Sequence, residues 1–233
     1  MINIHKKSLY FWTDMLVKKT RFSLSRYWDG ELAAIIGRAG KNCDSCTYFP
    51  ELGEALRKTI EQPKPYFHCL YFPLNHEGTR NLRRQFIDYL FKIKSQVDWY
   101  DAMVFQEAFE HGQFHEMIAA LDTRNVIFVG GPHLRPVEKL LKVQKFIEMP
   151  ARDAFLERTR IFLDIAMAVE EFDDPVVVFC AGMASNVLID ELHGIAATMI
   201  DMGSVWDACL GLNTRIWMRK VSEQIAKRNI YGR

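Results

Sequence analysis

The chain has no apolar run as long as a membrane-spanning helix and no signal-peptide pattern at its start, so the expectation is a soluble, cytoplasmic protein. It lacks an excess of either charge. Its 30 Lys and Arg are matched by 29 Asp and Glu, and no whole-chain field favours nucleic acid or an acidic membrane. Cysteine is scarce and odd in number, at five, which argues against a disulfide framework. Three common signatures are missing too. No G-x-G-x-x-G opens a helix after a strand, which removes the dinucleotide fingerprint. No Walker A sequence occurs, which counts against a P-loop NTPase, and no G-x-S-x-G elbow, which counts against an α/β-hydrolase.

What is present is ordinary globular usage: 233 residues, 49% of them apolar, enough for one α/β domain with a sizeable core. Short β-branched or aromatic runs alternate with longer helical stretches. Strands are expected at 22–25, 66–71, 102–105, 125–129, 145–148, 175–180 and 196–200. Helices are expected at 8–19, 30–38, 51–61, 77–94, 113–121, from about 136, at 151–170, at 185–193 and at 213–227. Strands alternating with helices of this length build βαβ units, hence a mainly parallel sheet with helices on both faces. The unbroken apolar runs Val126-Ile127-Phe128-Val129 and Val176-Val177-Val178-Phe179 fit strands covered on both sides. No repeat or linker marks a second domain. Residues 1–20 read as an N-terminal helical segment, 21–212 as the α/β core and 213–233 as a C-terminal helix. Residues 37–50 form the longest loop, suited to a lid or an acceptor contact.

Cys43 and Cys46 form a C-x-x-C, and with His68 and Cys69 they total four zinc ligand types. Neighbours on a strand point to opposite faces, however, so His68 and Cys69 do not suit one metal, and Cys69 reads as a buried thiol. The basic clusters Lys18/Lys19/Arg21, Arg80/Arg83/Arg84 and Arg215/Arg219/Lys220 read as solvated faces.

The chemistry-bearing residues gather at expected strand ends. Arg26-Tyr27-Trp28-Asp29-Gly30-Glu31 follows the first strand and puts one cation and two carboxylates where open α/β sheets bind ligands. Two carboxylates one residue apart suit a divalent cation that grips phosphate oxygens. They equally suit capping of the helix that follows. Gly130-Gly131-Pro132-His133 ends a buried strand, and its glycines admit close backbone approach. Ala181-Gly182-Met183-Ala184-Ser185 ends another and opens a helix whose N-terminus suits an anion. Asp201-Met202-Gly203-Ser204 adds a carboxylate and a hydroxyl at the same edge.

In order and spacing these segments resemble the GT-D type glycosyltransferases, once known only as a domain of unknown function. Arg26 to Glu31 is similar to the R-x-G-D-G-E signature of that family, and the strand–A-G–helix–strand–D-x-G pattern recurs from Val176 to Asp207. Gly130-Gly131-Pro132 and the Glu148 to Ala154 segment also fall where the family has comparable ones. The resemblance spans roughly residues 20–212.

It implies a Rossmann-like single domain binding a nucleotide-diphosphate sugar such as a UDP-sugar. Asp29 and Glu31 would be the catalytic and metal-binding pair for Mn²⁺ or Mg²⁺. Arg26, Gly30, Gly130, Gly131, Gly182, Ser185, Asp201, Gly203 and Ser204 would line the donor site. The acceptor would be a glycan, a glycoprotein or another hydroxyl-bearing molecule. Trp28 departs from the family's glycine, so either the backbone before Asp29 turns differently or the indole stacks on a base or sugar. For the base that deprotonates the acceptor, Glu107 is the choice, with His76, His133 and Asp207 as alternatives; His111 and His115 read as surface residues. Asp173-Asp174 precedes a strand and falls at the opposite sheet edge. Two other readings stay open: transfer of sugar to a modified base in DNA, and a non-catalytic nucleotide-binding module of the same fold.

Overall fold

A computed structural model describes residues 2–40, 48–71 and 77–232. Cys43, Cys46 and His76 lie outside them. In chain order the elements are β1 (Ile4–His5), α1 (Leu9–Val17), β2 (Ser23–Tyr27), α2 (Asp29–Ile35), α3 (Pro50–Glu61), β3 (Phe67–Leu70) and α4 (Glu77–Lys92). Then come β4 (Trp99–Asp101), α5 (Val104–Glu110), α6 (His115–Asp122), β5 (Asn125–Gly130), β6 (Val143–Glu148) and α7 (Arg158–Glu170). The chain ends with β7 (Pro175–Cys180), α8 (Met183–Glu191), β8 (Thr198–Asp201), α9 (Val205–Cys209) and α10 (Glu223–Tyr231). Three 3₁₀ segments, Pro132–Lys139, Ala154–Glu157 and Ile216–Lys220, fill the remaining connections.

The strands form one eight-stranded sheet in the order β1-β4-β3-β2-β8-β7-β5-β6, and every pairing is parallel. All the strands therefore end at the same edge. Alternation explains the two-sided core. Ile127, Val129, Val177 and Phe179 pack under α2, α3, α4, α7 and α8, while Val126, Phe128, Val176 and Val178 pack under α1, α5, α6 and α9. Each fully buried aliphatic or aromatic side chain contributes about 1.5–3 kcal/mol of transfer free energy. Cys69 belongs to the second of these cores, whereas His68 stacks against Tyr66 on the first. The two are thus held on opposite faces.

Four connections depart from the sequence reading. The strand expected at 102–105 ends at Asp101, whose Oδ1 accepts the Met103 N–H at 2.9 Å and turns the chain into α5. The helix expected from about 136 is a 3₁₀ segment that starts at Pro132. The helix expected over 151–170 is interrupted at Asp153, which takes a left-handed φ of 50°, and becomes regular only from Arg158. The single helix expected over 213–227 is split by Val221 in an extended conformation. Ser222 then restarts it, its Oγ accepting the Ile225 N–H at 3.3 Å.

Beneath α3 and α8 lies a buried polar cluster. His68 is 2% exposed, with Nδ1 3.4 Å from the Tyr27 hydroxyl, which in turn pairs with Thr59 Oγ1 at 2.7 Å. Burial pushes the imidazole down from 6.5 to about 4, against the opposing pull of the Lys64 carbonyl and Asp190. A folded-state value below the ordinary one means that the unfolded chain takes up the proton first. Stability therefore falls as pH drops from about 6.5 towards 4, by roughly 3 kcal/mol over the full range, and this group contributes nothing above it. Urea unfolding between pH 4 and 7 checks this: the His68→Phe variant is expected to show a flatter acid limb than the wild type.

Candidate active site

The site is built where β2, β8 and β7 end side by side. Leu24 is in register with Ile200, and Phe179 with Asp201, so the loops after Tyr27, Asp201 and Cys180 leave the sheet as neighbours. Asn186, on the first turns of α8, joins them. Its Nδ2 donates to Ser25 Oγ at 3.0 Å and to the Arg26 carbonyl at 2.8 Å, tying α8 to β2. No short motif marks Asn186, because its partners lie about 160 residues away in sequence.

Helix α2 begins at Asp29, and Glu31 turns back so that Oε2 accepts the Trp28 N–H at 3.0 Å. That is the carboxylate half of a capping box. Glu31 is buried while Asp29 is exposed. Burial, with Asp201 and Asp29 facing it, pushes the Glu31 carboxyl up to about 7 despite backbone N–H donors. Capping and the clustering of negative charge thus coexist in one residue. A Cβ at Gly30 would sit 2.7 Å from Cε of Met183, the flexible end of the first side chain of α8.

Trp28 takes φ −109° and ψ −176°, an extended conformation open to any residue, so the indole stands there without backbone strain. One face of its ring stacks on Tyr71 at 4.1 Å, and the Arg26 guanidinium lies 5.7 Å from the ring centre.

Arg26 points inward. Its Nε is 3.8 Å from Asp201 Oδ2, and its Nη1 donates to the Ala102 carbonyl at 3.5 Å. Asp201 is pushed up by burial and pulled down by Arg26 and the Gly203 N–H, which donates to Oδ1 at 3.1 Å. Gly203 has φ +53°, and a side chain there would run into the Arg26 guanidinium. Glycine is required at that turn twice over, for conformation and for space. Gly182 also needs its freedom: with φ +55° it caps α8, is exposed, and no atom of the described residues lies within 4 Å of where a Cβ would be.

The other residues singled out in the sequence have different duties. Ser185 is fully buried, and its Oγ accepts the Ala181 N–H at 3.2 Å, closing the turn behind the site. Ser204 is half-buried at the start of α9. Gly130 is packed against Leu134 and Phe128. Gly131 lies under the His133 ring, and His133 Nε2 is 3.3 Å from Asp207 Oδ1. Glu107 is exposed in the first turn of α5, and no hydrogen bond or ion pair among the described residues orients its carboxylate. Asp174 pairs with Arg124 Nη2 at 2.9 Å, at the edge of the sheet where the strands start.

No protein-family model matches the chain, and no curated protein matches it in sequence. Solved structures share its architecture. A glycosyltransferase (DUF1792) from Streptococcus sanguinis superposes with a TM-score of 0.64 at 19% identity, over 87% of this chain and 82% of that one. A selenomethionine-substituted DUF1792 structure gives 0.63 at 16% identity, over 88% and 79%. A further structure, described as DUF1792 with a distinct glycosyltransferase fold, gives 0.61 at 17% identity, over 88% and 79%. The chain has the DUF1792 glycosyltransferase fold. On this DUF1792 scaffold the Asp29/Glu31 pair, the Gly182 turn and the Asp201–Gly203 turn meet at the edge where open α/β sheets hold ligands.

Among the described residues no set of three His, Cys, Asp or Glu side chains closes around a cation position. The donors at hand are the exposed carboxylate of Asp29 and that of Glu31. Two carboxylates fit a hard cation that completes its shell with phosphate oxygens and water, as Mg²⁺ commonly does, and do not fit a closed protein cage.

Proposed function

We propose that the protein is a glycosyltransferase that moves a sugar from a nucleoside-diphosphate donor, UDP-linked or similar, to an acceptor hydroxyl. The observation that carries this reading is the meeting of Asp29 and Glu31 with the Asp201–Gly203 turn and the open Gly182 turn, on a fold shared with DUF1792 glycosyltransferases. Asp29 and Glu31 would hold Mn²⁺ or Mg²⁺ jointly with the donor's phosphates. Such a cation offsets the charge that builds on the departing nucleoside diphosphate.

The chain's own groups do the positioning. Gly182, exposed at the head of α8, would offer a phosphate the backbone N–H groups of that helix start. Arg26 acts one layer down, holding Asp201 and the Gly203 turn in place. Trp28 on Tyr71 gives the mouth of the site an aromatic wall against which a base or sugar ring can lie.

A thermal-shift series across uridine, guanosine, adenosine and thymidine diphosphate sugars, with and without Mn²⁺, tests the reading. At a hundredfold excess over Kd a ligand of the native state adds about 2.7 kcal/mol. For a chain of this size that raises Tm by roughly 5–10 °C. One donor class with Mn²⁺ is expected to do so and to be slowly hydrolysed. Binding that ignores metal and never leads to turnover would mean a nucleotide-binding module instead.

A further inference from the structure

His133 and Asp207 sit 74 positions apart in the chain and meet at the sheet's ligand edge. Asp207 is anchored from several sides. Its N–H donates to the Ser204 carbonyl at 3.1 Å, its own carbonyl accepts the Leu212 N–H at 2.8 Å, and its Oδ2 accepts the Thr214 hydroxyl at 2.6 Å. The other oxygen, Oδ1, is left facing His133 Nε2 at 3.3 Å. The aspartate side chain is 10% exposed and the histidine 54%, so a buried acid backs an imidazole that opens to solvent.

An aspartate accepts and does not donate, so the carboxylate near Nε2 favours the neutral tautomer with its proton there and its lone pair on Nδ1. Gly131 bears on what Nδ1 can reach. Its φ of −66° and ψ of 159° are open to any residue, so conformation does not call for glycine there. Space does. A Cβ at that position would lie 2.8 Å from both Nδ1 and Cε1 of His133. Glycine at 131 avoids that clash with the basic edge of the ring. Gly130 is in register with Cys180, and Phe179 with Asp201, so the dyad stands beside the Asp201–Gly203 turn along the same edge.

We propose that His133 is the catalytic base for the acceptor, with Asp207 and Thr214 as positioning residues; this rests on the glycosyltransferase reading above. His133 Nδ1 takes the proton from the acceptor O–H as that oxygen bonds to the anomeric carbon. The bond from the anomeric carbon to the phosphate oxygen breaks, and its electron pair leaves with the nucleoside diphosphate. Compared with Glu107, whose carboxylate no hydrogen bond or ion pair among the described residues orients, this half-exposed imidazole has a buried carboxylate beside one of its nitrogens.

Steady-state hydrolysis of the same four classes of nucleotide sugar, with Mn²⁺ and with water as the acceptor, tests it in the full chain. His133→Ala is expected to lower kcat about a hundredfold with the donor-induced Tm shift unchanged. Added imidazole is expected to restore at least about a tenth of the wild-type rate, which a structural role would not permit. Asp207→Asn is expected to lower kcat about tenfold at constant donor KM, since it releases the ring without removing it. Wild-type turnover by His133→Ala, or a loss that imidazole does not relieve, overturns the dyad and leaves the glycosyltransferase reading standing. No turnover of any of these donors by the unaltered chain overturns that reading and the dyad with it.

Discussion

Replacing Asp29 by Asn and Glu31 by Gln together is expected to lower sugar transfer by a factor of about a thousand or more, with Tm within a few degrees of the wild type. The two halves of this expectation come from different features of the residues. Asp29 is exposed, and Glu31 serves the fold by accepting backbone N–H groups, the Trp28 N–H on Oε2 at 3.0 Å among them, which a glutamine carbonyl can also accept. Folding therefore loses little. The amides carry no charge, so they can no longer hold a cation against a diphosphate. Removing one preorganised electrostatic contact to a developing charge typically costs a hundred- to a thousandfold, and here two go at once. A donor titration followed by Tm, together with the initial rate, separates the effects. Lost turnover alongside a lost Mn²⁺-dependent shift supports the assigned role, and an undiminished rate removes it.

The sheet was legible because its strands are covered on both faces and so carry runs such as Val126–Val129 that nothing else in the chain imitates. Two of the four departures share a cause. At 102–105 and 221–222 the apolar or helical pattern continues across a break made by one short polar side chain, Asp101 or Ser222, bonding to the backbone nearby. Pattern alone does not show such a bond. Of the two readings of the D-x-E pair, capping is what the contacts show: Glu31 caps α2, with the charges of Asp201 and Asp29 close by, and the metal role belongs to the proposed function. Asn186 and the pairing of His133 with Asp207 were not legible as units. Each joins segments brought together only by sheet order, and single-chain spacing holds no record of that order.

The largest loss of stability is expected at Arg26. The family resemblance places this arginine in the donor site. Its placement favours holding Asp201 instead, because it is 6% exposed, lies inside β2, and has Asp201 Oδ2 at 3.8 Å and the Ala102 carbonyl at 3.5 Å. Phe105 adds an aromatic face at 5.8 Å from the guanidinium carbon. Arg26→Met keeps much of the volume and strands Asp201 as a buried carboxylate without its cation. Breaking a buried pair from one side costs about 3–5 kcal/mol, because the remaining charge must be protonated or exposed. Truncating both sides costs less, since no charge is left behind. A double-mutant cycle in urea therefore carries the argument: Arg26→Met is expected to lose about 3 kcal/mol or more, and Arg26→Met with Asp201→Asn to recover a large part of it. Should Arg26→Met alone cost under about 1 kcal/mol, the arginine does not hold the Gly203 turn, and its guanidinium must turn outward to the donor instead.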